Sequence, residues 1–368
     1  MARSPFTLAA LATAAVPELV ITGVRSYSTE GTDDFDSALV TDRTGTVFIV
    51  RVANTETARH EQDGDLVALG ALTAGVRSRL PFDIPQYRGQ APVDDGRAVV
   101  YTFVHGHHIA AENIPRGEGL TGSLGHAIAA IHSLPTNSVS ESGLPHYSAG
   151  ECRDNSNDIV ESAAATGLLP LTLRERWRGA ISTENLWQFQ PAVINGSLGV
   201  ESFLVDGDIV TGVLGWSELR VGDPAQDLHW LLALNPDVAE GALSAYSHNR
   251  HMSTDQRLTQ RANLYAELDV ARWLLHGRAT RDQSIIDDAV TMLDGLVDRI
   301  RTSVTDPIRS TTETTLAVDD VEELLDHTPG APSEAVGNGL TPVSDTGTLL
   351  LDDDDDPDST PTTDLSFR

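Results

Sequence analysis

No lysine occurs anywhere in the 368 residues, and all 25 basic side chains are arginine. That excludes chemistry resting on a lysine: a Schiff-base enzyme, a pyridoxal-phosphate enzyme, a Walker-type ATPase. Cysteine occurs once, at Cys152, so no disulfide can form within the chain and a cysteine-based structural zinc site is excluded. No apolar run approaches the ~20 residues of a membrane span. Positive charge is scarce as well. The 25 arginines face 54 acids, a formal net charge of −29. A general nucleic-acid binder needs clustered positive charge to displace counterions, so no nucleic-acid or membrane partner is expected. Such a chain reads as a soluble protein kept apart by self-repulsion, with the cytoplasm as its expected location.

What is present is unevenly spread. From Asp306 to Arg368 there are 16 acids and 2 arginines, a net of −14, which leaves −15 for everything before. This stretch is rich in Thr, Ser, Pro and Gly, contains the run Asp352 to Asp356, and has too little apolar content to fold alone. A disordered acidic tail over 304–368 is therefore expected. Val318 to Leu325 could form a short helix in it, and Leu349 to Leu351 is a small apolar hook. The tail is either a solvating segment or a motif for a basic protein partner. At the other end, Arg3 and an Ala/Leu-rich run loosely mimic a signal peptide, but the run is short, and a helix docked on the following domain is expected.

The body divides into two regimes. Residues 1–104 hold the N-terminal helix and then, from 19, a strand-rich region. Leu39 to Asp42 and Val47 to Val52 flank a turn at Arg43 to Gly45, a hairpin pattern. Ala98 to Val104 reads as a buried strand. Asp65 to Leu72 places Leu66, Leu69 and Leu72 at helical spacing. Residues 105–303 are mostly helical, with helices over Ser123 to Ser133, Asp255 to His276 and Asp282 to Val304. A β-rich island interrupts them: Ala192 to Ile194, then Ser202 to Val205 and Ile209 to Leu214 joined by a tight turn at Asp206 to Asp208. Gly222 to Leu228 then opens a helix through Leu234.

The island carries the most specific pattern. It reads N-G-S-L-G-V-E-S-F-L-V from Asn195, G-V-L-G-W-S-E from Gly212 and G-D-P-A-Q-D-L from Gly222. This resembles the aminoglycoside and macrolide phosphotransferase family, whose pattern is His-Gly-Asp-Leu-His-Pro-Gly-Asn, a hairpin, Ile-Asp-Trp, then Gly-Asp-Pro-Ala-x-Asp-Leu. Trp216 and the helix end Ala130-Ile131-His132 support the likeness, which covers roughly residues 19–303. It implies a two-lobed, protein-kinase-like α+β fold with a β-rich N-lobe and a mainly helical C-lobe. It also implies ATP-dependent phosphoryl transfer to a small hydroxylated molecule, with ATP and magnesium as cofactors and a small molecule or nucleotide in the interlobe cleft.

The departures from the family pattern decide the expectation. The family's catalytic-base Asp falls on Ser197, its metal-binding Asn on Ser202 and its second metal ligand, an Asp, on Gly215. The phosphate-gripping lysine falls on Arg51, and its helix acid on Asp65. These five, with Asp223, are expected around the cleft. Phosphoryl transfer needs a cation bridging phosphate oxygens and a residue orienting the attacking hydroxyl. Magnesium wants carboxylate oxygens. A serine hydroxyl is no base near neutral pH, and glycine supplies nothing. Arginine is a planar fork and does not simply replace lysine, although an Arg51–Asp65 pair would preserve a strand–helix contact. Losing a base and a metal ligand at several kcal/mol each removes many powers of ten in rate, at ~1.4 kcal/mol per decade. The phosphate-loop segment Thr29 to Ala38 has one glycine and four acids, which would repel a triphosphate. Asp223 is expected to cap a helix, Asp227 to bond nearby backbone and Trp216 to lie in the core. The expectation is a preserved scaffold with dismantled chemistry, a pseudoenzyme with a ligand- or partner-binding role.

Three alternatives stay open on the residues. Glu201 and Glu218 could substitute as metal ligands in an active phosphotransferase. Asn195 to Gly199 resembles a hydrolase nucleophile elbow, which must lead into a helix, whereas strands are expected here. His105, His107 and His108 could ligate zinc, or form an ordinary interlobe linker.

Overall fold

A computed structural model describes residues 3–27, 34–94, 96–250, 255–303 and 306–308. The chain divides into two units, Met1–Thr311 and Thr312–Arg368, and all described residues belong to the first. The expected tail helix, the apolar hook, the aspartate run and the first half of the Thr29 to Ala38 segment (29–33) lie outside the described residues.

Helix α1 (Pro5–Ala15) starts where Ser4 accepts a hydrogen bond from the Thr7 amide at 3.1 Å and Pro5 presets the first turn. The strands β1 (Ile21–Tyr27), β2 (Phe35–Asp42) and β3 (Val47–Ala53) follow, then α2 (Glu56–Ala71), α3 (Ala74–Arg77), β4 (Tyr87–Val93) and β5 (Gly96–Thr102). The five strands form one antiparallel sheet in the order β1-β2-β3-β5-β4. Strand alternation sorts its two faces. Val50, Val52, Ala98 and Val100 pack with Leu8 and Ala12 of α1, which is the docked helix the sequence leads one to expect. Ile49, Val99 and Tyr101 face the other way, into the larger core shared with Leu69 of α2 and the helical lobe. Arg51, two residues after Ile49, shares that inner face.

The helical lobe holds α4 (Gly119–His132), α5 (Thr136–Ser140), α6 (Ala149–Ala165) and α7 (Leu171–Ile181). The island follows as β6 (Ala192–Ile194), β7 (Phe203–Asp206), β8 (Ile209–Val213) and β9 (Arg220–Gly222), then α8 (Pro236–Asn249), α9 (Leu258–Thr280) and α10 (Gln283–Thr302). β7 and β8 form the expected hairpin, with Gly207 at φ +57° in its turn. β9, which has no sequence signature of its own, pairs with β6. The expected helix from Gly222 through Leu234 is instead two short 3-10 turns, Pro224–Asp227 and His229–Ala233. The tighter winding accompanies two acids committed to different partners, Asp223 to Arg261 and Asp227 to the 195–196 backbone.

Candidate functional site

A fully buried polar network holds the loop after β6. Asp227 accepts the amides of Asn195 and Gly196 at 2.7 and 2.8 Å. His132 Nε2 lies 3.1 Å from the same carboxylate, and its Nδ1 lies 2.9 Å from the Tyr246 hydroxyl. Burial holds the His132 imidazole below its usual range, which favours the neutral ring. Gly196 turns the chain at φ +90°, where an added Cβ would run into the Arg220 guanidinium and the Glu218 carbonyl.

Asn195 then ties this loop to the segment after β8. Its Nδ2 donates to the Gly215 carbonyl at 2.7 Å, and its Oδ1 accepts from the Ser197 amide and hydroxyl, both at 3.2 Å. Ser202 is nearly buried. Its hydroxyl accepts the Gly199 amide at 3.2 Å and its carbonyl accepts the Leu214 amide at 2.8 Å. Ser197, Ser202 and Gly215 are therefore brought together through Asn195 and the start of the hairpin. Both serine hydroxyls are occupied by local bonds. Gly215 has φ +70° and open space where a Cβ would stand. In sequence Asn195 stands only as the start of the island pattern and of the elbow-like segment, and its place two residues before Ser197 is the one local signal of its bridging role.

Above this loop lies a cleft of about 620 Å³, whose lining includes Arg51, Asp65, Glu61, Glu201, His108 and Gly215, with Ile49, Leu69, Tyr101 and Leu214 as apolar wall. Three of the sequence-derived site residues, Arg51, Asp65 and Gly215, line this one space. Ser197 and Ser202, expected around the cleft, are not in its lining and connect to it through Asn195, Glu201 and Leu214. Asp223 does not belong to it. That carboxylate is fully buried in the helical lobe, where Arg261 grips it through Nε at 2.7 Å and Nη2 at 3.1 Å, and Tyr265 donates at 3.1 Å. It does cap the following turn, accepting the Ala225 amide at 3.0 Å. The placement of Asp223 near the cleft is thereby corrected: a buried carboxylate needs a charged partner, and Arg261 supplies it inside the core.

The expected Arg51–Asp65 ion pair does not form either. Arg51 stacks over the Phe35 ring at 3.8 Å. Asp65 accepts the Trp216 amide at 2.7 Å instead, linking α2 to the segment after Gly215. Burial pushes the Asp65 carboxyl up to about 6 and Glu61 adds to this, while the Trp216 and Ser217 amides and Arg51 pull the other way. One residue earlier, Gly64 permits the close approach, since a Cβ there would stand 2.8 Å from the Ser217 carbonyl oxygen.

The alternative residues separate in space. Glu201 lines the cleft. Glu218 does not, and pairs with Arg220 at 3.2 Å. The elbow-like segment runs into a 3-10 turn (Val200–Ser202) and then β7, so the strand–turn–helix required for a nucleophile elbow is missing. The histidine segment is the interlobe linker. His107 exchanges backbone bonds with Val205 at 3.0 and 2.9 Å, and the His105 carbonyl accepts the Thr211 hydroxyl at 2.7 Å. Among the described residues no three His, Cys, Asp or Glu side chains are grouped to hold a metal. Among the same residues no helix is long and apolar enough to cross a membrane. Cys152 is buried, and the Trp216 side chain lies in the core as expected.

Comparison with known proteins gives concordant matches. The profile of the phosphotransferase enzyme family (APH) matches residues 30–274. The uncharacterized protein YcbJ of Bacillus subtilis (strain 168) is 24% identical over 207 residues, 53% of this chain and 65% of that protein, so the match spans less than two thirds of that relative. Among solved structures, the apoenzyme of macrolide 2'-phosphotransferase MphH from Brachybacterium faecium superposes with a TM-score of 0.65 at 20% identity, covering 79% of this chain and 98% of that one. The GDP complex of wild-type aminoglycoside 2'-phosphotransferase-IIIa gives a TM-score of 0.65 at 19% identity, over 82% and 100% of the two chains. At these identities the likeness shows the fold, a two-lobed protein-kinase-like α+β architecture.

Proposed function

From the premise that this chain belongs to the phosphotransferase enzyme family, we propose that it is a non-catalytic member whose interlobe cleft serves ligand or partner binding. One observation carries the reading. Where the family pattern has a base and two metal ligands, this chain has Ser197 bonded to Asn195, a nearly buried Ser202 bonded to Gly199, and Gly215 with no side chain at all. These donors do not fit a magnesium ion, which is held by carboxylate and phosphate oxygens. Nor does a serine engaged in a local hydrogen bond fit a base. No phosphoryl-transfer step is therefore assigned to these residues.

The scaffold is intact by contrast. Asp227, His132 and Asn195 still hold the loop, and Asp65 still joins α2 to the helical lobe. Rigid support without reactive groups suits binding without turnover. The test is magnesium-dependent phosphate release from ATP, alone and with a panel of hydroxylated small molecules. The proposal expects a rate indistinguishable from a protein-free control. Turnover above that control overturns it.

A second reading, an active phosphotransferase using a substitute carboxylate, is favoured by the position of Glu201 in the cleft wall. It requires turnover that Glu201→Ala abolishes.

A further inference from the structure

The cleft combines a size suited to a small organic molecule with a charge that is wrong for a nucleotide. Its volume of about 620 Å³ falls in the range of small-molecule sites, and its wall carries Ile49, Leu69, Tyr101 and Leu214. Three acidic residues line it. Glu61 and Asp65 stand one helical turn apart on α2 and so share a face, and Glu201 joins the lining from the other lobe. Among the described residues, the basic side chains in the lining are Arg51, whose guanidinium is already stacked over Phe35, and His108.

Neither Glu61 nor Glu201 has a hydrogen-bond or ion-pair partner among the described residues. Both belong to the cleft lining, in a body that is itself acidic and holds no lysine. A nucleotide would bring several negative charges into this field, and among the described residues no three His, Cys, Asp or Glu side chains are grouped closely enough to hold a screening metal ion.

We propose that this cleft takes an aromatic organic cation, its flat ring against Ile49, Leu69, Tyr101 and Leu214 and its ammonium between Glu61 and Asp65 on one side and Glu201 on the other. The proposal rests on the non-catalytic reading above and adds to it a ligand class. The apolar wall supplies affinity by burial, and the carboxylates supply the selection for positive charge. The same arrangement rejects the phosphate-bearing ligand that the fold would otherwise suggest.

The experiment is titration calorimetry on the full chain with naphthylmethylamine, its neutral isostere naphthylmethanol, and ATP with and without magnesium. The amine is expected to bind at least about tenfold more tightly than the alcohol, the scale of one charge-assisted contact. The Glu61→Gln, Glu201→Gln double variant leaves Asp65 in place and is expected to weaken that preference with an unchanged melting temperature, because neither side chain bonds elsewhere among the described residues. Equal binding of amine and alcohol overturns the cation preference, as does ATP binding more tightly than the amine, or no amine binding at millimolar concentration. Magnesium-dependent phosphate release from ATP in the same preparation overturns the non-catalytic reading alone. The amine–alcohol comparison decides the ligand class separately.

Discussion

The contact between α2 and the segment after Gly215 can be tested with two glycines of the same helix. Gly64 and Gly70 both lie inside α2. Replacing glycine by alanine in a helix interior gains about 0.5–1 kcal/mol from backbone entropy alone. At Gly70 nothing lies within 4 Å of the added Cβ, so Gly70→Ala should show that gain. At Gly64 the Cβ would stand 2.8 Å from the Ser217 carbonyl oxygen, 3.1 Å from its Cβ and 3.2 Å from its Cα. Two of these atoms are backbone and cannot swing aside. Overpacking of this kind costs about 1–3 kcal/mol. It also pushes Trp216 away from Asp65, straining the 2.7 Å bond between them. Gly64→Ala should therefore be less stable than Gly70→Ala by about 1–3 kcal/mol, and at or below wild type. Urea unfolding, with midpoints compared at a common slope, measures the difference. If both variants are stabilised equally, α2 does not press on Ser217 and the interlobe contact is wrong.

Three further outcomes follow from the buried charges. Arg261→Met leaves the fully buried Asp223 carboxyl without its main partner, and should cost about 3–5 kcal/mol in urea unfolding. Asp227→Ala strips the Asn195 and Gly196 amides of their acceptor and should cost about 1–3 kcal/mol per orphaned group, read by the same assay. Asp65 gives a pH signature. Burial holds its folded carboxyl at about 6, above its value in the unfolded chain. The folded state therefore binds the proton more tightly, and ionisation of Asp65 destabilises the protein as pH rises from about 4 through 6. The stability of Asp65→Asn relative to wild type should increase across that window, and a pH-independent difference would contradict the burial argument.

Much of the architecture was legible in local pattern. The β2–β3 hairpin, the β5 strand, the long helices α9 and α10, and the β7–β8 hairpin follow from alternation, helical spacing and turn residues. Elements that depend on distant partners were not. β9 is three residues long and exists because β6 lies beside it. The Gly222 segment carries helical spacing but winds as 3-10 turns, with its acids answering to Arg261 and to the loop after β6.

The candidate site divides the same way. The motif spacing put Arg51, Asp65, Ser197, Ser202 and Gly215 around one cleft; Arg51, Asp65 and Gly215 are in its lining and the two serines are not. Motif membership alone misplaced Asp223, because a carboxylate inside a shared pattern can serve the core or the cleft and only its partners decide which. It also paired Arg51 with Asp65. The Phe35 ring and the Trp216 amide offer these side chains partners that no local sequence window reveals.

The central claim, that scaffold and chemistry have been separated in this chain, is tested most directly by titrating ATP with and without magnesium into two proteins: wild type and the Ser197→Asp, Ser202→Asn, Gly215→Asp triple variant. Gly215 has open space for a side chain, and although its φ of +70° strains any L residue placed there, Asp is among the types that adopt this region most readily. Wild type should show no magnesium-dependent binding, and the triple variant should gain it. Magnesium-dependent nucleotide binding by wild type, or no gain in a folded triple variant, would contradict the account.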